Sequence, residues 1–125
     1  MKLQSDPHFG VNTITGYGDG YVEINKTPYT HAVLLSSDGA ISEWPVQSFE
    51  GLEASHFAQM VDLKPELILI GTGNRQRFPK PELLKSLISA KIGFEIMDSQ
   101  AACRTYNILV GEGRQVLLAL IVESS

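Results

Sequence analysis

Glu66-Leu67-Ile68-Leu69-Ile70-Gly71-Thr72-Gly73 is the stretch on which the fold turns. A compact apolar run that does not alternate and stops at glycines reads as a strand covered on both faces, since a half-exposed strand would place polar residues at every second position. Downstream, Pro79 and Pro81 open a helix, because a first turn has no use for the N–H that proline lacks. Leu83, Leu84, Leu87 and Ile88 form its expected buried stripe. Gly93 to Met97 alternates as a strand, with Phe94 and Ile96 on one face and Glu95 on the other. Ser99 is the expected cap of a further helix running to about Val110, with Gly111 as its left-handed terminator. Ala102, Cys103, Tyr106, Leu109 and Val110 share one helical stripe, while Ala101 and Ile108 point nearly opposite. Val116 to Val122 is the most apolar strand and is placed at the sheet centre.

Upstream the pattern differs. Tyr21–Ile24, Thr30–Leu35 and Ile41–Trp44 have strand character, separated by Asn25-Lys26 and Ser37-Asp38-Gly39, which supply hairpin-turn chemistry. A three-stranded antiparallel meander is expected there. Between the meander and the first apolar run, Ser55 is the expected N-cap of a short helix that ends before Lys64-Pro65. The order is β-β-β-α-β-α-β-α-β. The fold class is α/β in a three-layer arrangement, with an N-terminal antiparallel β-meander and a mixed, mainly parallel central sheet covered by helices. The two strands ending before Thr72 and Asp98 are expected side by side in the same direction. All 125 residues are read as one domain, with residues 1–19 as an N-terminal arm or loop pinned by Phe9 and Tyr17.

Composition narrows the function classes. Hydrophobic residues make up 43% and charged residues 19% of the 13.7 kDa chain, which disfavours disorder and coiled coil. The lone Cys103 excludes an internal disulfide and an all-cysteine metal site. No apolar run approaches the roughly 20 residues of a membrane-spanning helix. The N-terminus shows neither a signal peptide nor a transit segment, so a cytoplasmic location is expected. Net charge is -4, and an acidic protein is a poor general nucleic-acid binder. The charge is uneven, however. From Gly71 to Lys91 five basic residues face only Glu82, making that segment +4 and the remainder -8.

The candidate site lies where open α/β sheets usually bind ligands, at the carboxyl ends of the strands. Gly71, Thr72, Gly73 and Asn74 form the turn, and Arg75, Arg77 and Lys80 supply positive charge that suits an anion or an acidic partner. A tight structural turn is the competing role, since Gln76 replaces the third glycine of a dinucleotide fingerprint and no Walker pattern occurs. Asp98 and Ser99, at the next strand end, either cap the helix or face the same crevice; Arg104 and Asn107 share that helix's polar side. Cys103 lies on the apolar stripe and is read as a small hydrophobe, not a nucleophile. His8, His31 and His56 lack metal-site spacing, Gly-x-Ser-x-Gly is absent, and no catalytic residue, metal or cofactor is assigned. Trp44 marks the end of the meander, or an interface anchor if it is exposed.

Several blocks carry a family resemblance: Pro65 to Gly73, Glu95-Ile96-Met97-Asp98-Ser99, Ala101 to Leu109, Glu112-Gly113-Arg114-Gln115-Val116, and Asn25-Lys26 in the first hairpin. In this order they resemble a small-domain family that includes a mitochondrial assembly factor of respiratory complex I, a vertebrate adipogenesis-associated protein, and many bacterial and archaeal proteins. The resemblance implies a three-layer fold around a mixed sheet, and without a transit segment the chain is expected to be a bacterial cytosolic member. It supplies no catalytic set; Gly71, Gly73, Asp98, Arg104, Asn107 and Arg114 are its candidates for a shared surface. Two functions stay open. One is a non-enzymatic protein-interaction module linked to assembly of a membrane-associated complex. The other is a small-molecule or anion-binding protein, or an enzyme, using the crevice. A homodimer or a covering arm would each account for the outward Ala101 and Ile108.

Overall fold

The computed structural model describes residues 11–124. Among these residues eight strands form two sheets. The smaller is antiparallel and joins β1 (Ile14–Gly18), β2 (Tyr21–Ile24) and β3 (Thr27–Tyr29) in that order. The larger contains β4 (Val33–Ser36), β5 (Ile41–Glu43), β6 (Leu67–Gly71), β7 (Gly93–Met97) and β8 (Val116–Leu120), in the order β5-β4-β8-β6-β7. Strand β6 runs parallel to both β7 and β8, with Gly71 opposite Met97 on one side and Leu120 on the other. Strand β4 opposes β8 and β5. The sheet is thus mixed, and β8 lies at its centre as its unbroken apolar sequence predicts.

Both faces of β6 are covered. Ile68 and Ile70 pack with Trp44, Phe57, Met60 and Leu87, in the core beneath α1 (Ala54–Val61) and α2 (Lys85–Ser89). Leu69 packs on the opposite face with Ala102, Cys103 and Tyr106 of α3 (Ser99–Gly111) and with Ile14, Val22 and Ile24 of the small sheet. Three layers result: α1 and α2, the central sheet, and α3 with the small sheet.

The expected meander exists, but its membership differs. Asn25 and Lys26, at φ 51° and 71°, make the tight turn between β2 and β3 rather than leading to a strand from Thr30. The chain changes sheets over residues 30–32, where neither glycine nor proline marks the break. Pro28 sits in β3, which it can do because an edge strand leaves one row of donors unused. Residues 14–18, placed in the arm by their glycines and polar residues, instead form β1. Its partners are distant: Asn107 Nδ2 donates to the Ile14 carbonyl at 2.8 Å, and the Ile14 N–H donates to Asn107 Oδ1 at 3.0 Å. The Tyr106 hydroxyl donates to the Asn12 carbonyl at 2.8 Å. Phe9, His8 and the rest of residues 1–10 lie outside the described residues.

Helix ends also shift. Glu53, not Ser55, precedes α1, and its N–H donates to His56 Nδ1 at 2.8 Å. The imidazole proton is therefore on Nε2, which donates to the Pro45 carbonyl at 3.0 Å. Asp98, not Ser99, caps α3, its carboxylate accepting the Ala101 N–H at 2.9 Å. Gly111 ends the helix itself, and the left-handed position falls at Gly113, φ 83°. Pro81–Leu84 is a 3₁₀ turn leading into α2, where Leu84 and Leu87 are buried but Ile88 is 57% exposed. Trp44 is buried and donates from Nε1 to the His56 carbonyl, which makes it a core residue and not an interface anchor.

Candidate functional site

Parallel pairing of β6 with β7 and β8 brings three strand ends together, and the Gly71-Thr72-Gly73-Asn74 turn crosses them. Thr72 is fully buried. Its N–H donates to Met97 O at 2.9 Å, its hydroxyl donates to Arg75 O at 2.7 Å, and the same oxygen accepts the Arg77 N–H at 3.1 Å. These bonds hold the basic loop in one shape. Ser99 ties the turn to the neighbouring strand end: Oγ accepts the Gly73 N–H at 2.8 Å and donates to the Ile121 carbonyl at 2.6 Å.

Both glycines are required by close approach. A methyl group at Gly71 would come within 2.6 Å of Leu120 Cδ1 and 3.0 Å of Ser99 Oγ. Gly73 has φ 98°, and a Cβ there would collide with the Glu123 carboxylate and Arg77 Nη2.

That carboxylate is the main feature absent from the sequence reading. Glu123 Oε1 accepts the Asn74 N–H at 2.9 Å, and Arg77 Nη2 lies 2.9 Å from both carboxylate oxygens. The crevice expected to attract an anion already contains one, supplied by the chain itself. Burial pushes the Glu123 carboxyl upward, but the Asn74 N–H and the Arg77 and Arg75 charges outweigh that effect and hold it below the usual carboxylate range. Arg77 also donates to the Thr72 carbonyl, stacks over Phe49 with 5.0 Å from Cζ to the ring centroid, and approaches Glu50 at 3.7 Å. Its Nε is buried without a hydrogen-bond partner. Beside it, between Tyr17, Ser99 and Cys103, a half-open recess of about 20 Å³ has room for one water molecule.

The register shows how Glu123 was detectable. Gly71 is level with Leu120, so three residues beyond each lie Asn74 and Glu123. An acidic residue three places after an apolar strand gains meaning only once that strand is known to adjoin β6.

The structure brings Gly71, Thr72, Gly73, Asn74, Arg77, Asp98 and Ser99 to this end of the sheet. Arg75 is exposed beside them, and Arg104 borders an open depression of about 530 Å³ shared with Asp19, Asn74, Asp98 and Gln100. Arg104 Nη1 lies 3.3 Å from the Tyr17 hydroxyl. Asn107 is instead committed to β1. Arg114 lies at the opposite end of the parallel strands, 2.9 Å from Glu66. There the Gln115 N–H, then Arg114, hold the Glu66 carboxyl below its usual range. Cys103 is 1% exposed, and burial pushes its thiol up to about 12. A thiol so held is not a nucleophile near neutral pH.

A second concavity went unnoticed in sequence. An open groove of about 610 Å³ runs between the 3₁₀ turn Phe49–Gly51 and the basic loop, with Leu52, Arg75, Phe78, Lys80 and Leu83 along it. Phe78 is 68% exposed.

Residues 14–121 match the model of a family described as "Protein of unknown function (DUF498/DUF598)". The chain belongs to the DUF498/DUF598 family. It is 32% identical over 122 residues to the "13 kDa major membrane protein" of Francisella tularensis subsp. holarctica (strain LVS), covering 97% of this chain and 99% of that protein. It is also 32% identical over 84 residues to NADH dehydrogenase (ubiquinone) 1 alpha subcomplex assembly factor 3 of Bos taurus, covering 66% of this chain and 46% of the assembly factor. The chain thus spans about half the length of that relative. A crystal structure of a Bordetella parapertussis protein superimposes with a TM-score of 0.86 at 44% identity, covering 91% of this chain and 98% of that one. The family expected from the sequence blocks is therefore the one found, and so is the mixed α/β fold. The DUF498/DUF598 match starts at β1 and includes Asn74 and Arg77; Glu123 lies just beyond it.

Proposed function

We propose that this chain is a non-enzymatic protein-interaction module that helps build a membrane-associated complex from the cytoplasmic side. The observation that carries this reading is the occupation of the strand-end donors by Glu123. Where an α/β protein of this kind would hold a small anionic ligand, a carboxylate of the chain itself takes the Asn74 N–H and the Arg77 guanidinium. On the outer surface Phe78, Ile88 and Ile108 are exposed apolar side chains that a partner can cover.

Kinship with an assembly factor supports the same reading, as does a relative named as a membrane protein. Among the described residues no helix is long and apolar enough to cross a membrane, so attachment through a partner is the route this reading takes.

The test is native-cell fractionation with the protein tagged at its own locus. The expected result is co-migration with a membrane complex much heavier than 13.7 kDa, release by high salt or alkaline carbonate without detergent, and depletion of the assembled complex when the gene is deleted. Migration at the monomer mass, with membrane complexes unchanged on deletion, would overturn the reading.

A further inference from the structure

We propose that the groove between the Phe49–Gly51 turn and the basic loop docks an extended acidic segment of a partner protein, with one apolar side chain as anchor. This rests on the interaction-module reading and names the partner chemistry. The groove's inner wall is apolar, with Leu52 buried and Phe49 and Leu83 half-buried. Its volume, about 610 Å³, suits a short peptide rather than a flat surface. Phe78 stands on the rim at 68% exposure, which puts a large apolar ring in water next to positive charge.

The charge is available. Arg77 is engaged by Glu123 and Glu50, but Arg75 and Lys80 are exposed and form no ion pair among the described residues. They lie in the stretch that is net +4 on an otherwise acidic chain. Carboxylates flanking an apolar anchor would meet Arg75 and Lys80 while the anchor enters between Phe78 and Leu83. An acidic segment is also the one steered toward this face and repelled by the rest of the molecule.

Presentation is preorganised. Pro79 restricts Phe78 to extended backbone, and Thr72 holds the preceding loop through its bonds to Arg75 O and the Arg77 N–H. A surface already held in its binding shape loses less entropy when a partner docks.

The test uses fluorescence anisotropy with the full chain and a labelled peptide of one leucine flanked on each side by aspartates. Saturable binding is expected, weakening with salt and weakening about tenfold or more in Phe78→Ser, in the paired Arg75→Gln and Lys80→Gln variant, and with an asparagine version of the peptide. Melting temperatures of these variants should match the parent, because the altered side chains are exposed. No saturable binding below about 1 mM, or equal binding by the variants, would overturn the proposal. Sedimentation of the parent chain with phosphatidylglycerol vesicles, lost in Phe78→Ser, would also overturn it by making a membrane the occupant. If Phe78→Ser leaves the cellular complex intact, the groove assignment falls while the module reading stands. Peptide binding through the groove without any cellular complex gives the reverse.

Discussion

Glu123 and Arg77 are 46 residues apart in the chain, yet Arg77 Nη2 lies 2.9 Å from both oxygens of the Glu123 carboxylate. Neither side chain is more than 22% exposed. The pair holds the residues after β8 against the turn after β6. Because the Asn74 N–H shares the carboxylate, loss of Glu123 leaves that N–H without its acceptor and the mostly buried guanidinium with only the Thr72 carbonyl and Glu50.

Glu123→Gln should therefore destabilise the chain by about 1–2 kcal/mol near neutral pH, measured by urea unfolding. The carboxyl is held below its ordinary value of 4.5 in the folded state, so its contribution is present above that value and is lost as pH falls through the lower, folded value. The stability gap between parent and variant should be constant above about pH 5.5 and shrink below about pH 4.5. A gap independent of pH would show that the charge contributes nothing.

Gly73→Ala should cost about 1–3 kcal/mol, since φ 98° is unfavourable for any residue with a Cβ and the added methyl meets the Glu123 carboxylate. The double variant with Glu123→Ala should cost less than the two singles together, because the collision with the carboxylate disappears while the backbone strain remains. A double-mutant cycle in urea checks this coupling.

Asn107→Ala should release β1 from α3, since both of its side-chain bonds go to Ile14. Hydrogen exchange read residue by residue should show faster exchange at Ile14–Gly18, with β6 and β8 as protected as before. Uniform acceleration would mean that β1 does not open separately.

Cys103 should resist a thiol reagent such as iodoacetamide at pH 8 in the native protein and react readily after denaturation. Burial, at 1% exposure with the thiol raised to about 12, accounts for both outcomes. Rapid native labelling followed by mass spectrometry would contradict this packing.

The elements most legible in the sequence were those whose residues are apolar for their own reasons. Leu67–Gly71 and Val116–Leu120 are buried on both faces, and a strand of that kind needs no partner to be recognised. Strand β1 was not legible, because Gly16 and Gly18 interrupt the strand-forming Ile14, Thr15 and Tyr17 and the segment is held by β2 and Asn107. Ile88 was assigned to a buried stripe by helical spacing, but Pro81–Leu84 winds as 3₁₀ and changes the phase at which α2 begins. Of the candidate residues, Gly71, Gly73 and Ser99 were found through strand-end glycines and a cap position, whereas Glu123 and Phe78 carried no motif.

By itself the sequence determined the layered α/β class, the central place of β8 and the parallel course of β6 and β7, since apolar periodicity and strand-helix alternation are local properties. Only the tertiary structure decided that the Asn74 N–H and the Arg77 guanidinium at the strand ends already hold a carboxylate of the chain itself. That outcome depends on the register that sets Glu123 beside Asn74, and register arises from long-range pairing that no local pattern encodes.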